Sequence, residues 1–486
     1  GKDIAKNPVE VAMLLKSEIV SLCEISRSEK KQKSIIQKIE TVGGFVNFFI
    51  SEDYFIKHLA VVLKEKNKFG NLKIGKNKKI NIEFISANPT GPLTLGNGRS
   101  GFCGDVLANV LEKAGYRVVR EYYINDIGNK INKLGHSVIG DENAVYKGQY
   151  IDELRKVIRG NNPEAVGEKA AKVVLEKMIK PSIKKMGIKF DVWFSEKSLY
   201  KSKEVDEVMD ELTKKGFTYE SEGALWFKSK DLGDDKDRVL IRTDGIKTYF
   251  ASDVAYLKNK FERGFNHLII FLGADHHGYV ARLKAGAHAL DYKKESVSDI
   301  VMQLVRLFEK EKEVRMSKRT GIYVTIDELI NEVGLDAARF FFLTRGNDTQ
   351  FNFNMDLAKE KSDKNPVFKA QYAHARICSI IKKSRVKRLK SKVNFGLLNE
   401  PSELNLMRQF VIFSEVIENT AKDYQVQKIP QYAIELADTF HGFYENCQVI
   451  TKDKELSQAR LALVLATKIV LKNTLDLMGI SAPEKM

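Results

Sequence analysis

Hydrophobic and polar positions divide the chain into an N-terminal stretch, a strand-and-helix stretch and a long helical stretch. Residues 1–70 mix helix-like apolar spacing with one strand-like burst, GGFVNFFIS, and the basic, turn-like GNLKIGKNKK closes them off near residue 74. From Ile80 the pattern changes. KINIEFIS alternates as a strand, with Ile80, Ile82 and Phe84 on one face and Glu83 on the other. A proline-containing loop follows. Asn97 to Ala114 then sets Phe102, Val106, Val110, Leu111 and Ala114 on one helical side, Gly115 supplies the stop, and RVVREYYI is the next strand. Strand, helix, strand predicts a βαβ unit and so a parallel sheet.

The sheet pauses across about 135–235, a mostly polar, Lys- and Glu-rich, helical stretch that reads as an insertion. Strand signals return at DRVLIRTDG, HLIIFLGADHH and DIVMQLVRLF. VTIDELINEVG opens a helix, with Thr325 and Glu328 at the spacing of a capping box. From about residue 346 no strand pattern remains, and NLMRQFVIFSEVIENTA and ARLALVLATKIVLKNTLDLM predict a helical bundle. The expected architecture is α/β. A small N-terminal α+β domain (1–74) precedes a Rossmann-like parallel-sheet catalytic domain with an insertion (75–345) and an all-α C-terminal bundle (346–486).

Composition narrows the partners. The chain has 486 residues, more than one ordinary core needs. Its net charge of +16 favours a polyanionic partner, most simply nucleic acid, although charge alone does not decide this. No apolar run approaches a membrane span and no signal peptide is visible, so a cytoplasmic protein is expected. Gly1 is not an initiator Met, which points to residues missing before it. Cys23, Cys103, Cys378 and Cys447 are scattered with no C-x-x-C pair, so neither a disulfide framework nor a zinc site is suggested.

The candidate chemistry begins at GNGRSG, Gly96 to Gly101, which matches G-x-G-x-x-G; Glu121 lies twenty residues later, where a ribose-binding acid would stand. A dinucleotide loop needs its first Gly directly after the strand. Here Pro89 and Pro92 intervene, and the spacing fails. A Gly-rich turn at a helix start can still bind phosphate through backbone N–H groups and the helix dipole. A plain glycine-rich turn without a ligand is the alternative on this segment alone.

A second segment, EKEVRMSKRTG (Glu311 to Gly321), decides between them. With it, the chain resembles the class I aminoacyl-tRNA synthetases: PLTLGN stands where that class has its HIGH motif, and RMSKR where it has KMSKS. IEFISANPTGPL, EYYINDIGNKI, KTYFASDVAY, FLGADHHGY, DAARFFFLTR, NPVFKAQYAHARI and FHGFYENCQV sharpen the resemblance to the bacterial arginyl-tRNA synthetase family, over nearly the whole chain.

The resemblance implies an arginine pocket of Glu83, Ser86 and Asn88, with Tyr249, Asp253 and His276. Alone, Asp253 would pass for a solvated helix acid and Tyr249 for core packing. They are four apart and share a helix face. It further implies ATP at Gly96, Gly98, Gly273 and Asp275, beneath a closing loop with Val314, Arg315, Met316 and Lys318. The Lys318 ammonium would neutralise charge on the leaving pyrophosphate. Mg²⁺ accompanies ATP, and no protein-held metal is expected. Thr94 and Asn97 replace the two histidines of HIGH; both can donate hydrogen bonds, but neither carries charge.

The implied partners are L-arginine, ATP and tRNA(Arg), bound by a monomer. Gln371, Tyr372 and His374 in QYAHAR are candidates for contacting loop bases, with bundle packing as the alternative. Lys382, Lys383 and Arg385 open a run that could track phosphates or remain a solvated loop. The expected reaction is ATP-dependent activation of arginine and its transfer to the 2′-OH of the terminal adenosine of tRNA(Arg). The competing expectation is a catalytically decayed tRNA-binding paralogue.

Overall fold

The computed structural model describes residues 7–17, 35–274, 278–314, 324–384 and 393–486. GGFVNFFIS contributes to an antiparallel hairpin of β1 (Ile36–Val42) and β2 (Phe45–Ile50). Gly43 and Gly44 turn it at φ 56° and 87°, the left-handed pair that a two-residue hairpin loop requires. Helix α1 (Glu52–Glu65) follows and buries Leu59 and Val62.

The expected βαβ unit is β3 (Lys79–Glu83), α2 (Leu95–Lys113) and β4 (Arg117–Ile124). Within the stretch read as an insertion, the short β5 (Val192–Ser195) rejoins the sheet. It is followed by a separate antiparallel sheet of β6 (Thr218–Ser221), β7 (Ala224–Phe227) and β8 (Arg238–Ile241). Then come α3 (Tyr249–Glu262), β9 (His267–Gly273) and β10 (Val297–Met302). The main sheet has the order β10–β9–β3–β4–β5 and is parallel throughout. It is covered on both faces, so Ile80, Asn81, Ile82 and Glu83 are all buried.

DIVMQLVRLF breaks into two strands. VSDIVM is β10, and β11 (Val305–Glu309) leaves the main sheet to pair with β12 (Lys312–Val314). Helices α4 (Ile326–Val333) and α5 (Leu335–Leu343) follow. Among the described residues beyond 346, one strand interrupts the helices. FNFN forms β13 (Phe351–Asn354), parallel to β11, with Phe351 and Phe353 buried and the asparagines exposed. The bundle is α6 (Pro366–Lys383), α7 (Pro401–Asp423), α8 (Lys428–Asn446) and α9 (Lys454–Met478). Among the described residues no helix is long and apolar enough to cross a membrane.

Helix α2 lies between the sheet and the bundle and is buried nearly all round, with Phe102, Cys103, Val106, Leu107 and Val110 fully buried. Two buried arginines tie distant parts to it. Arg99 donates to the carbonyls of Gln303 (2.9 Å) and Gly346 (2.7 Å). Arg339, on α5, pairs with Asp105 of α2 and donates to the carbonyls of Met186 and Met478 at 2.7 Å each. The chain passes Arg339 so closely at Gly479 that a Cβ there would lie 2.5 Å from its Nη2, and Gly479 also holds φ 65°. Gly479→Ala is therefore expected to lower stability by about 2–4 kcal/mol, summing left-handed strain and overpacking. The check is the thermal midpoint; a shift below 1 °C would contradict the account.

Candidate active site

The site begins where β3 ends. Ile85 and Ser86 adopt φ 66° and 36°, and a β-branched residue in the left-handed region is strained. Side chains from both neighbours hold the strain. The Ile85 N–H donates to Ser100 Oγ (3.1 Å), and Ser86 Oγ accepts from the Tyr123 N–H (3.1 Å) and donates to Glu83 Oε1 (3.1 Å). Tyr122 OH donates to the Ala87 carbonyl at 2.9 Å. This lays the loop containing Asn88 across the carboxyl ends of β3 and β4. Asn88 is half-buried there, its carbonyl accepting from the Thr90 N–H at 2.7 Å.

The loop runs into the N-terminus of α2. Asn97 Oδ1 accepts both the Thr94 N–H (3.0 Å) and the Thr94 hydroxyl (2.8 Å). That arrangement uses the hydroxyl proton and leaves the Asn97 amide N–H₂ as the group able to donate outward. The glycines of GNGRSG differ in role. Gly96 is exposed, and a Cβ there would meet only Thr94 Oγ1, at 3.9 Å. A Cβ on Gly98 would lie 2.5 Å from the Ile326 side chain, and one on Gly101 would lie 2.6 Å from Met186. Close packing therefore explains Gly98 and Gly101, and only Gly96 is open to a ligand.

Ile326 stands beside Gly98 because the chain returns here. Its N–H donates to the Leu93 carbonyl at 3.1 Å, and Thr94 and Thr325 form an isolated antiparallel bridge. Thr325 and Glu328 make the expected capping box, with the Glu328 N–H donating to Thr325 Oγ1 at 3.1 Å. Val314 closes β12 on the other side, half-buried. The segment carrying RMSKR is thus bracketed by Val314 and by Ile326, which is hydrogen-bonded to Leu93 of PLTLGN. Arg315, Met316 and Lys318 themselves lie outside the described residues, as do Asp275, His276 and Arg385. Gly273 is the exposed last residue of β9.

Past the ends of β3 and β5 lies a cluster of buried acids, Glu83, Glu196 and Asp253. Helix α3 aims Tyr249, Asp253, Tyr256 and Lys260 along one face, at steps of four, three and four. Tyr249 is partly open to solvent, at 44% exposure. Asp253 has a buried Oδ2 without a hydrogen-bond partner among the described residues. Burial, with Glu196 and Glu83 nearby, raises its carboxyl well above the usual range. Glu196 follows β5 and is 1% exposed, and its Oε1 accepts from the Ser252 hydroxyl at 2.9 Å. Burial and the Asp126 charge push it up to about 7. Asn125 Oδ1, at the end of β4, is also buried without a partner among the described residues. Glu83 is engaged on both oxygens, by Ser86 and by Lys260.

Glu196 escapes a sequence reading because it lies in the stretch taken for an insertion. Its only local signal is the aromatic strand VWFS running directly into an acid. Glu121 shows the reverse. It accepts from Arg263 (2.8 and 2.7 Å), from Asn81 (2.7 Å) and from Tyr256, so its position after GNGRSG reflects a buried structural network.

A family profile described as tRNA synthetases class I (R), catalytic domain, matches residues 58–162 and 139–354. A second, the DALR anticodon binding domain, matches 370–486. The arginine–tRNA ligase of Carboxydothermus hydrogenoformans is 43% identical over all of this chain and 90% of its own length. That of Caldanaerobacter subterraneus subsp. tengcongensis is 46% identical, over 93% of this chain and 86% of its own. The chain belongs to the arginyl-tRNA synthetase family. The fold agrees with a solved family member, Thermus thermophilus arginyl-tRNA synthetase, at TM-score 0.77 and 19% identity, over 100% of this chain and 92% of that one.

In the family's anticodon-binding region, QYAHAR faces two ways. Gln371 donates to Asp336 (2.8 Å) and to the Ser481 carbonyl (3.0 Å), and His374 is buried against the Pro483 carbonyl (2.9 Å). Both join the bundle to the chain's last residues. Tyr372 lies on another face. Its ring stacks with His441 at 6.4 Å, and the Arg376 guanidinium sits 5.1 Å from the rings of both Tyr372 and Tyr444. Lys382 and Lys383 are exposed at the end of α6.

The Gly98–Ile326 contact gives a direct check on the junction. Gly98→Ala should push α4 off α2, lower the thermal midpoint and reduce ATP–pyrophosphate exchange by tenfold or more. Adding Ile326→Ala should recover much of both. Simple additivity of the two substitutions would mean that the contact does not couple the segments.

Proposed function

We propose that this chain is an arginine–tRNA ligase whose Asp253 and Glu196 receive the guanidinium of L-arginine. The observation that carries the reading is a pair of buried carboxylate oxygens without partners among the described residues, Asp253 Oδ2 and Glu196 Oε2, near Glu83 at the end of β3. A planar cation with five donors satisfies such acceptors at once. Glu83, Ser86, Asn88, Tyr249 and His276 are proposed as its further contacts.

Arginine held in this way presents its carboxylate toward the start of α2. One carboxylate oxygen attacks the α-phosphorus of ATP, the bond to the β-phosphate oxygen breaks, and pyrophosphate leaves with that electron pair. The 2′-OH of the terminal adenosine of tRNA(Arg) then attacks the activated carbonyl carbon, and AMP departs. Gly96, Gly273 and Asp275 are proposed to contact the nucleoside, Val314, Arg315 and Met316 to belong to the segment that closes over it, and Lys318 to offset charge on the departing pyrophosphate. Mg²⁺ would accompany ATP and offset the charge of its phosphates.

On the RNA side, Tyr372, Arg376, His441 and Tyr444 offer a stacking platform for unpaired bases, and Lys382, Lys383 and Arg385 a path for phosphates. Gln371 and His374 support this surface from beneath. The proposed state is a cytoplasmic monomer. A decayed paralogue has no observation in its favour: its pocket would not need to retain partnerless buried carboxylates. Aminoacylation with a panel of amino acids and bacterial tRNA tests the reading. Arginine alone should be charged, and no charging, or charging of another amino acid, would overturn it.

Acids held above their ordinary range must ionise to pair with guanidinium. Below about pH 7 Glu196 is neutral, so arginine Kd should fall as pH rises through 7, and binding near pH 6 should release protons. Calorimetry in buffers of different ionisation enthalpy measures this. Glu196→Gln should weaken arginine at least tenfold, about 1.4 kcal/mol, and remove the dependence near pH 7. An unchanged profile excludes Glu196 from the pocket.

For the triphosphate, Asn97→Ala removes the outward donor and Thr94→Ala removes the group that orients it. One such donor is worth roughly 2.7–4 kcal/mol in a transition state, so each should slow activation more than tenfold, Asn97→Ala the more. The cap itself is worth only about 1 kcal/mol of stability. Near-wild-type exchange rates in both would remove these residues from the chemistry.

A further inference from the structure

One strongly charged surface takes no part in the reaction described so far. From Lys64 to Lys79 seven lysines stand against a single acid, Glu65. Lys79 is turned inward, its ammonium donating to the Arg263 carbonyl at 2.8 Å and lying 4.4 Å from the Phe265 ring centroid. Lys73, Lys76 and Lys78 are exposed, as is Arg117 at the start of β4, and none of the four forms an ion pair among the described residues. Elsewhere on the surface, lysines such as Lys180, Lys369 and Lys428 are answered by acids. Cations on a loose loop would lose entropy on meeting a polyanion, so the cluster is useful only if the fold already holds it in place.

The fold does hold it. The N–H groups of Leu72, Gly75 and Asn77 donate to the carbonyls of Lys113, Ala114 and Gly115 at 2.8, 3.0 and 3.0 Å, and the Arg117 N–H donates to the Lys78 carbonyl at 2.9 Å. Gly75 packs so closely that a Cβ there would lie 2.5 Å from the Gly115 carbonyl carbon. Lys76 and Asn77 both take left-handed φ, 47° and 57°, and the Lys78 N–H donates to the Gly75 carbonyl at 2.9 Å. This is the form of a type I′ turn, whose central positions favour Gly, Asn and Asp. Asn77 fits that preference and Lys76 does not. A lysine kept where a shorter polar residue would be less strained points to a need for its charge. Arg117 Nε donates to the Asn77 carbonyl at 3.2 Å, which sets that guanidinium beside the turn. The four cations therefore share one rigid ledge at the amino end of β3, the opposite end of the strand from the loop carrying Asn88. The ledge also borders the bundle, where Phe69 stacks on Phe413 of α7 at 5.9 Å.

We propose that Lys73, Lys76, Lys78 and Arg117 form a docking surface for the phosphate backbone of tRNA(Arg), away from both the terminal adenosine and the Tyr372 face. The inference rests on the reading of the chain as an arginine–tRNA ligase. The proposed reaction itself brings a polyanion that reaches from the sheet to the bundle, and the ledge borders both. Ammonium groups meet phosphates as point charges and read no base, so the surface adds affinity and orientation without selecting among tRNAs.

The test uses the full chain carrying Lys73→Gln, Lys76→Gln and Lys78→Gln together, beside a second variant with Arg at the same three positions. Binding of transcribed tRNA(Arg) and of a non-cognate tRNA is measured by filter retention across a salt series, and KM for tRNA, arginine and ATP by aminoacylation. The Gln variant should weaken both tRNAs at least tenfold at low salt and flatten the slope of log K against log salt by about 2–3. It should raise KM for tRNA(Arg) and leave KM for arginine and ATP within twofold, and the Arg variant should stay near wild type. An unchanged salt slope, an Arg variant as weak as the Gln variant, or a loss confined to one of the two tRNAs would overturn the surface. Lys76→Asn alone should raise the thermal midpoint and still weaken tRNA about threefold; a lower midpoint would mean that the lysine serves the fold, and would overturn the inference. Wild-type protein that charges no arginine would instead sink the ligase reading, and the surface with it.

Discussion

A backbone junction holds the site together. Leu93 and Thr94, leaving the loop after β3, meet Thr325 and Ile326, arriving from β12, through one hydrogen bond and one bridge. Segments so far apart in sequence do not meet on the strength of those contacts alone, because closing a long loop costs entropy. The meeting is held by the buried arginines on either side. Arg99 fixes α2 to the turns after β10 and α5, and Arg339 fixes α5 to α2 and to the end of α9. Most of their partners are backbone carbonyls, which satisfy a guanidinium without requiring a second buried charge.

The same logic, inverted, describes the cluster of buried acids. Over most of the fold, buried charge is answered within the chain, as at Glu121 and Arg263 or Glu403 and Arg460. At Asp253 and Glu196 it is not. An unanswered buried carboxylate is expensive, so it takes up a proton and its pKa rises. A cationic ligand reverses this by supplying the missing partner, and the cost of leaving the site unfilled becomes selectivity for the ligand that fills it. An apolar or neutral side chain of the same length would leave those oxygens buried and still unpaired.

Local chemistry made much of this readable in advance. The βαβ unit at Ile80, the capping box at Thr325 and the shared face of Tyr249 and Asp253 all follow from spacing within one element. What escaped the sequence depended on distant partners. β5 and β13 are four residues each and gain their identity from the strands they join. Glu196 is meaningful only because Ser252 and Asp253 lie across from it. Lys260 looks like one more helix lysine until β3 brings Glu83 beneath it. Gln371 and His374 share a motif with Tyr372, but α6 turns them to the opposite side, against the chain's C-terminal segment.

GNGRSG shows how such a pattern can be right about place and misleading about cause. Its glycines sit at a helix start beside the site, yet Gly98 and Gly101 are required by Ile326 and Met186. Bringing α4 against α2 with no intervening Cβ is what lets the returning strand reach Thr94. The polar pair at that helix start is then locked by its own hydrogen bonds rather than by charge. A fixed neutral donor and a separate cationic segment are complementary tools for a triphosphate. In the proposed reaction the donor is preorganised before the ligand arrives, and the Lys318 cation would supply electrostatic strength where charge develops.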